Sequence, residues 1–419
     1  VKRITDKFAE TPRVVLFAIA AAFLARIAFA IVVPPEQTWS DSGGYQTIAS
    51  NVANGAGFTM DGTTPTRERP PGYPLFLAAI YMVFGTHPWI AIILQALLGS
   101  LIVAFAYAVG RRLNGREAGV IAAILVACYP ALIYYDTRIL REGLTTVLVL
   151  VYAWTVTREA FVNDLRWTAV SGLLLGAIAF VRPELATLGL PGLMRLGGAN
   201  SCGGIIRRTL LLGLPVLLLW GPWMARNYSH FGDPSPVHDS VASAVWFGTR
   251  WADIGGEDRK REDHIALKQE TWDLNNTNDG EGYAGRVAED LAQRPGWMVG
   301  MVGKKAVLFW KDANGVRKTL PKILPLLATS VNIYYYVLLG FALAGIWTWR
   351  NRPVVRTLGF TILSYCLPYA LLHVRNRYRV PLMPIVLILS AGGLSLFYAM
   401  IRVRLAVRQP SRSPDPQSA

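Results

Sequence analysis

The sequence predicts an all-α polytopic membrane protein: a bundle of about ten transmembrane helices, juxtamembrane helices in the first outer loop, and a small outer-face segment. Three observations predict it. Of 419 residues, 53% are hydrophobic and only 16% charged. The mean hydropathy is positive. The apolar residues also gather in runs that match the roughly 30 Å hydrocarbon thickness of a bilayer.

The first run, 14–33, is interrupted only by Arg26. At about 1.5 Å per residue it crosses the bilayer, and it is too long, and lacks the small-residue cleavage site, for a removed signal peptide. It is read as the first permanent span. Further spans are expected near 88–109, 118–135, 142–156, 168–181, 185–194, 209–224, 331–349, 354–372 and 382–400, with 185–194 the shortest. The prolines of "PPGYP" forbid helix continuation and set the entry of the apolar stretch 75–84, which is too short to span.

A net charge of +15 raises nucleic acid as a partner, but in a membrane protein lysine and arginine first serve topology. No nucleic-acid partner is expected. With a cytoplasmic N-terminus, the inside segments carry Lys2, Arg3, Lys7 and Arg13; Arg111, Arg112 and Arg116; Arg158 and Arg166; Arg195, Arg207 and Arg208; Arg350, Arg352 and Arg356; and Arg402, Arg404, Arg408 and Arg412. Every inside loop is basic, which orients both termini to the cytoplasm and fits a plasma (inner) membrane. Cys128, Cys202 and Cys366 are widely separated, so neither a disulfide framework nor a metal-ligand spacing is present.

Four regions follow: an N-terminal transmembrane module, 1–224, with a first outer loop at 34–87; an extracytoplasmic segment, 225–330; C-terminal transmembrane helices, 331–403; and a disordered cytoplasmic tail, 404–419. In the second region Ala284, Val287, Ala288 and Leu291 recur at helical spacing, and "WMVGMVGKKAVLFW" mixes aromatics and lysines as an interfacial helix does. No internal repeat is visible.

Outside loops should be poor in arginine, yet they hold Arg67 and Arg69 in "TPTRERPPGYP", Arg138 and Arg141 in "YYDTRILRE", Arg182 in "VRPE", and Arg375, Arg377 and Arg379 in "HVRNRYRVP". Guanidinium forks bind phosphate bidentately, so the set points to an anionic ligand. The alternative is pairing with the carboxylates nearest in sequence: Glu68, Asp136, Glu142 and Glu184. In "WSDSGGYQTIASNVANGAGF" one acid, Asp41, stands where the chain leaves the membrane. Ser40 or Asp41 caps a helix over 42–53, with Tyr45, Ile48, Ala49 and Val52 as its apolar stripe and Gly55 as its stop. As a cap alone Asp41 is worth about 1 kcal/mol.

The combination is more specific. An outside acid ahead of a short helix, then "RPPGYPLFLAAIYMVFG", a span ending in "GRRLNGREAG", then "YPALIYYDTRILREGLTTVLVLV", "GLLLGAIAFVRPE", "WGPWMARNYSHFGDP" and "RNRYRVPLMPIVLIL", resembles the GT-C glycosyltransferases. The likeness is to the family 39-like group, with its protein O-mannosyltransferases and lipid A aminoarabinose transferases. The resemblance runs from about 14 to 400. It implies transfer of a sugar (hexosyl or pentosyl) from a polyprenyl-phosphate carrier to an acceptor hydroxyl of a glycolipid, glycan or protein on the outer face. By position the proposed base is Asp41. Some relatives carry a second acid beside the first; here Ser42 stands there, leaving Asp136 and Glu142, ahead of Glu68, as second-acid candidates.

The chemistry fits the residues independently. A carboxylate accepts the hydroxyl proton as an oxocarbenium-like centre is attacked, and preorganised cations stabilise the departing lipid phosphate. Arg67, Arg69, Arg138, Arg141, Arg375 and Arg377 are the phosphate-binding candidates, and Tyr45 and Tyr378 are candidate substrate contacts. Direct displacement inverts the anomeric centre. No cofactor is required, since His87, His230, His238, His264 and His373 are scattered; a divalent ion on Asp41 and a second carboxylate is the less favoured alternative. A monomer is expected. The competing readings are a flippase or transporter of lipid-linked sugar, against which the lack of repeats counts, and an envelope polysaccharide polymerase or ligase.

Overall fold

The computed structural model describes residues 13–34, 40–197, 202–235, 241–254, 260–276, 282–311 and 325–408. Lys2, Arg3, Lys7, His238, Arg412 and the tail beyond Arg408 lie outside the described residues. Within them the regular elements are helices, with one isolated bridge between Thr59 and Pro65. The helices are α1 (Arg13–Val32), α2 (Ser40–Ala53), α3 (Gly72–Phe84), α4 (Pro88–Cys128), α5 (Pro130–Asp136), α6 (Arg141–Val156), α7 (Ala160–Asn163) and α8 (Leu165–Val181). A 3₁₀ helix (Pro183–Leu188) leads into α9 (Gly189–Leu196) and α10 (Cys202–Phe231). Then come α11 (Val241–Asp253), α12 (Arg261–Asn276), α13 (Gly282–Gln293), α14 (Pro295–Trp310), α15 (Pro325–Trp349) and α16 (Pro353–Leu371). A second 3₁₀ helix (Asn376–Leu382) and α17 (Met383–Arg408) complete the chain, so the last helix runs into the segment expected as a tail.

Six helices are long and apolar enough to cross a membrane, or seven if the bent pair α5–α6 forms one span, and α3 and α8 are shorter apolar helices. Together they make this a polytopic membrane protein. Straight, the 41 residues of α4 would extend about 60 Å, twice the hydrocarbon thickness. The helix instead breaks at Asn114 and Gly115, where Gly115 has φ 76°, a conformation that glycine adopts without Cβ strain. Its two limbs account for the expected spans 88–109 and 118–135, except that the second stops at Cys128, where Pro130 opens a new helix. The expected span 185–194 is a 3₁₀ turn followed by the eight-residue α9. Helix α17 packs against α15 and α4, α10 against α8, and α1 against α4.

The arginine that interrupts the first span is buried. Arg26 Nε lies 2.9 Å from Asp136 Oδ2 with both side chains almost wholly enclosed, and Arg26 Nη1 donates to the Ala22 carbonyl at 3.1 Å. Helix α4 admits the pair because it has Gly99 at the contact; a Cβ there would collide with the Asp136 carboxylate. Gly143 of α6 flanks the other oxygen, with a Cβ position 3.0 Å from Asp136 Oδ1. Removing one partner of such a pair strands a charge in a low-dielectric interior, at about 3–5 kcal/mol. Asp136→Ala is therefore expected to lower detergent-solubilised stability by about that amount, whereas Arg26→Met/Asp136→Leu recovers more than half of it. Thermal unfolding of the purified variants checks this, and equal loss in both would contradict the pairing argument.

Candidate active site

Helix α2 forms because Tyr45, Ile48 and Ala49 bury one face, and it ends ahead of Gly55 at φ 81°. It starts at Ser40, two residues before the expected 42, so Asp41 sits inside its first turn, where a carboxylate complements the helix dipole. The carboxylate is spent on arginines. Arg69 Nη1 lies 3.0 Å from Oδ1, and Arg377 Nη2 is hydrogen-bonded to Oδ2.

Arg377 belongs to the 3₁₀ helix before α17, and its Nε is 3.6 Å from Glu142 Oε1 in the first turn of α6. The same Glu142 oxygen accepts from Arg182 Nη2 at 2.9 Å, while Oε2 is buried with no hydrogen-bond partner among the described residues. Arg182, at the junction of α8 and the first 3₁₀ helix, also donates to Glu184 Oε1 at 3.4 Å and to Tyr369 Oη at 3.2 Å. Tyr369 in turn donates to Glu184 at 3.3 Å. Arg141 stands within electrostatic reach of Asp41, Glu184, Tyr45 and Tyr378, and among the described residues its guanidinium carries no side-chain hydrogen bond. Four guanidinium groups, of Arg69, Arg141, Arg182 and Arg377, thus face three carboxylates, of Asp41, Glu142 and Glu184, leaving an excess of positive charge. Burial pushes the Asp41 carboxyl up, but Arg377 by charge and hydrogen bond, then Arg69 and Arg141, outweigh it and hold it at about 2.

Of the candidates named from sequence, Asp41, Glu142, Arg69, Arg141, Arg377, Tyr45 and Tyr378 come together. Tyr45 lies beneath Arg69, 5.6 Å from its guanidinium carbon, and edge-on to Tyr73. The centre of the Tyr378 ring lies 5.0 Å from the guanidinium carbon of Arg182 and 5.7 Å from that of Arg377. The others are bound elsewhere. Arg67 Nη1 pairs with Asp233 Oδ2 at 2.7 Å, and Arg226 donates to the carbonyls of Thr66 and Phe58, so both fasten the first loop to the end of α10. Arg138 donates to the Pro34 carbonyl at 2.9 Å and stacks on Tyr134. Arg375 Nε donates to His373 Nε2 at 3.1 Å and lies over Trp251. Asp136 is occupied by Arg26. Among the described residues no group of three His, Cys, Asp or Glu is arranged to hold a metal ion. Sequence reasoning placed Arg182 in the outside arginine set and Glu184 among its possible partners without carrying either to the site, and passed over Tyr369. The available signal was "VRPE", an arginine and an acid at the end of an apolar run.

Comparison with known proteins bears on the fold that carries this arrangement. A family model described as dolichyl-phosphate-mannose-protein mannosyltransferase matches residues 68–221, a stretch that holds Arg69, Glu142, Arg182 and Glu184 but neither Asp41 nor Arg377. No curated protein matches the sequence. The oligosaccharyltransferase of Archaeoglobus fulgidus, solved in the apo form, superposes with a TM-score of 0.53 at 14% identity over 94% of this chain and 51% of that one. The same organism's AglB, in complex with an inhibitory peptide and a dolichol-phosphate, gives 0.53 at 13% identity over 96% and 52%. The fold is GT-C. The chain spans about half the length of these oligosaccharyltransferases. A weaker likeness, TM-score 0.44 at 14% identity over 96% of this chain and 81% of that one, is to ArnT from Cupriavidus metallidurans bound to undecaprenyl phosphate.

Within this GT-C fold the approach of α3 to α8 brings the Arg69 loop beside Arg182. A Cβ on Gly72 would sit 2.7 Å from the Phe180 carbonyl and from Val181 N, backbone atoms that cannot step aside. Gly72→Ala is expected to destabilise the protein by about 1–3 kcal/mol, whereas Gly300→Ala, at an open position inside α14, is expected to be neutral or to stabilise it by up to about 1 kcal/mol. Melting temperatures of the two variants test this, and equal values would mean the helix contact is slack.

Proposed function

We propose that this protein is a membrane glycosyltransferase that moves a hexosyl or pentosyl group from a polyprenyl-phosphate donor to a hydroxyl of a glycolipid, glycan or protein acceptor. On this reading it works at the outer face of the plasma membrane, as a monomer, by a single inverting displacement. The observation that carries the proposal is the Asp41 carboxylate, fixed by Arg69 and Arg377 beside Arg141 at a site with excess positive charge. The acceptor hydroxyl attacks the anomeric carbon, the bond to the phosphate oxygen breaks, and the hydroxyl proton passes to Asp41. A carboxylate held at about 2 is a weak base for a resting alcohol. It suits an oxocarbenium-like transition state, in which attack acidifies the hydroxyl and the proton moves late. Arg141, with no hydrogen-bonded carboxylate among the described residues, is the guanidinium readiest to meet the departing phosphate.

The GT-C fold, the mannosyltransferase family model over 68–221 and the dolichol-phosphate bound by AglB support a lipid-phosphate donor. About half of that protein's length is covered, and the hydroxyl acceptor rests on the resemblance of the sequence motifs to the GT-C transferases. A flippase would need the arginines but gives no task to Asp41.

Asp41→Asn is expected to cut transfer from polyprenyl-phosphate sugars by at least about 100-fold while leaving donor affinity within about threefold. Mass spectrometry of products and donor titration measure the two, and near-parent turnover would refute Asp41 as base. Product configuration read by NMR tests inversion. The pH dependence follows from the sign of the shift. A lowered carboxyl stays ionised down to about 2, so the acid limb of kcat/KM from Asp41 lies below about pH 3. Removing the strongest opposing cation, in Arg377→Gln, should lift that limb by about 1–2 units toward the ordinary value of 3.8. An unmoved limb would show that Arg377 does not set the basicity of Asp41.

A further inference from the structure

The end of α6 remote from Arg141 carries a second cationic site that topology alone does not explain. The Arg158 guanidinium lies 4.6 Å from the Trp154 ring and 4.1 Å from the Trp167 ring, and those two indoles meet edge to face at 5.4 Å. Arg112, from the far end of the first limb of α4, donates to the Trp154 carbonyl at 2.9 Å and to Thr157 Oγ1 at 3.1 Å, and also faces Trp154. Arg195, at the end of α9, reaches in to donate to the Arg158 carbonyl at 3.2 Å. Three chain-distant segments therefore bring three arginines to one place. Arg158 acts on Arg112 as like charge on like, while Arg195 feels Glu159 first and Arg356 against it. The Arg158 guanidinium itself has no hydrogen-bond acceptor among the described residues.

Orientation by positive charge needs charge in the loop and nothing more. It does not need a guanidinium stiffened between two tryptophans, converged upon by other arginines and, among the described residues, hydrogen-bonded to no carboxylate. Those features preorganise donors for an oxyanion, and tryptophan at a helix end marks the headgroup level of a bilayer. On the neighbouring helix, Val170 and Leu173 of α8 are exposed apolar side chains that suit an acyl chain. We infer that Arg158, Arg112 and Arg195 bind the phosphodiester headgroup of an anionic phospholipid in the leaflet opposite the Asp41 cluster. Helix α6 joins the two sites: its 16 residues place them about 24 Å apart, with Glu142 near one end and Arg158 just past the other. A bound headgroup braces the helix that positions Glu142.

The test uses the full-length protein in detergent, with dioleoyl phosphatidylglycerol, dioleoyl phosphatidylcholine and inorganic phosphate as probes, read by native mass spectrometry and thermal unfolding. Phosphatidylglycerol is expected to bind at least tenfold more tightly than phosphatidylcholine and to raise the melting temperature. Inorganic phosphate at the same concentration should do neither. Arg158→Gln/Arg112→Gln should lose at least tenfold in phosphatidylglycerol affinity. Arg207→Gln, which removes one charge from an exposed position near the start of α10, should stay within twofold of the parent. Arg158→Lys, which keeps the charge without the planar fork, separates site loss from misfolding and should fall between them. Equal binding of the two lipids, parent-like affinity in the double variant, or equal stabilisation by inorganic phosphate would each overturn the assignment. These readouts do not involve sugar transfer, so they stand or fall apart from the proposed activity.

Discussion

Arginine–carboxylate matching inside an apolar helical bundle is the constraint from which the rest of the architecture follows. An ion in a medium that solvates it poorly is tolerated when it is paired and hydrogen-bonded, and most such pairs here join different helices, with Arg182–Glu184 the local exception. Arg26 and Asp136 tie α1 to α5; Arg182 and Glu142 tie the end of α8 to the start of α6; Arg377 links Asp41 of α2 with Glu142. The last two pairs share a carboxylate, so the site is a network rather than a set of contacts. The Arg26–Asp136 pair shares no hydrogen bond with it among the described residues, so Asp136, a second-acid candidate from the sequence, is engaged with the first span instead.

Much of this was legible in the sequence. Apolar runs located the long membrane helices because some twenty consecutive apolar residues are a strong signal, although six or seven helices among the described residues are long and apolar enough to cross, against the ten or so expected. The stripe Tyr45, Ile48 and Ala49 and the stop at Gly55 gave α2 to within two residues. Local chemistry that interrupts a run was harder to place. The second limb of α4 was expected to run on to 135, but Pro130 opens a separate helix, α5, and a 120° bend then separates α5 from α6. In the site, Asp41 stood out because no neighbouring element competed for it, and the excess of outside arginines marked the region. What the sequence could not resolve was which arginines converge. Arg67, Arg69, Arg138, Arg141, Arg375 and Arg377 occur as close pairs, yet one of each first and last pair faces the cluster and the other is spent elsewhere: Arg67 on Asp233, Arg375 on His373 and Trp251. Two-residue spacing in an irregular segment sends side chains in different directions, and those directions are set by backbone turns with no periodicity to read.

The segment expected to be extracytoplasmic, 225–330, also finds a physical role. Helices α11 to α14 close over the turn that delivers Arg377, and the closure is specific. Lys305 of α14, almost fully buried, donates to the carbonyls of Leu371 at 2.7 Å and Leu372 at 3.0 Å, satisfying acceptors that the end of α16 leaves open. Burial pushes the Lys305 ammonium down to about 8, so this cap is charged at neutral pH. Gly248 of α11 makes the same approach possible, since a Cβ there would collide with the Leu372 carbonyl.

The turn beyond these carbonyls is held by rings. His373 meets Phe247 and Trp251 edge-on at 5.1 and 5.4 Å, Arg375 lies over Trp251, and Arg379 donates to the Phe309 carbonyl. Alternate residues of the segment, 373, 375 and 379, are thus anchored on the α11–α14 unit, while Arg377 between them turns to Asp41 and Glu142. An ion pair orients a carboxylate only if its cation is itself held, because a mobile guanidinium would follow the carboxylate instead of fixing it. The α11–α14 unit therefore acts on the site through backbone and ring contacts two residues to either side of Arg377, and the position of the Asp41 oxygens depends on helices that begin 200 residues later in the chain.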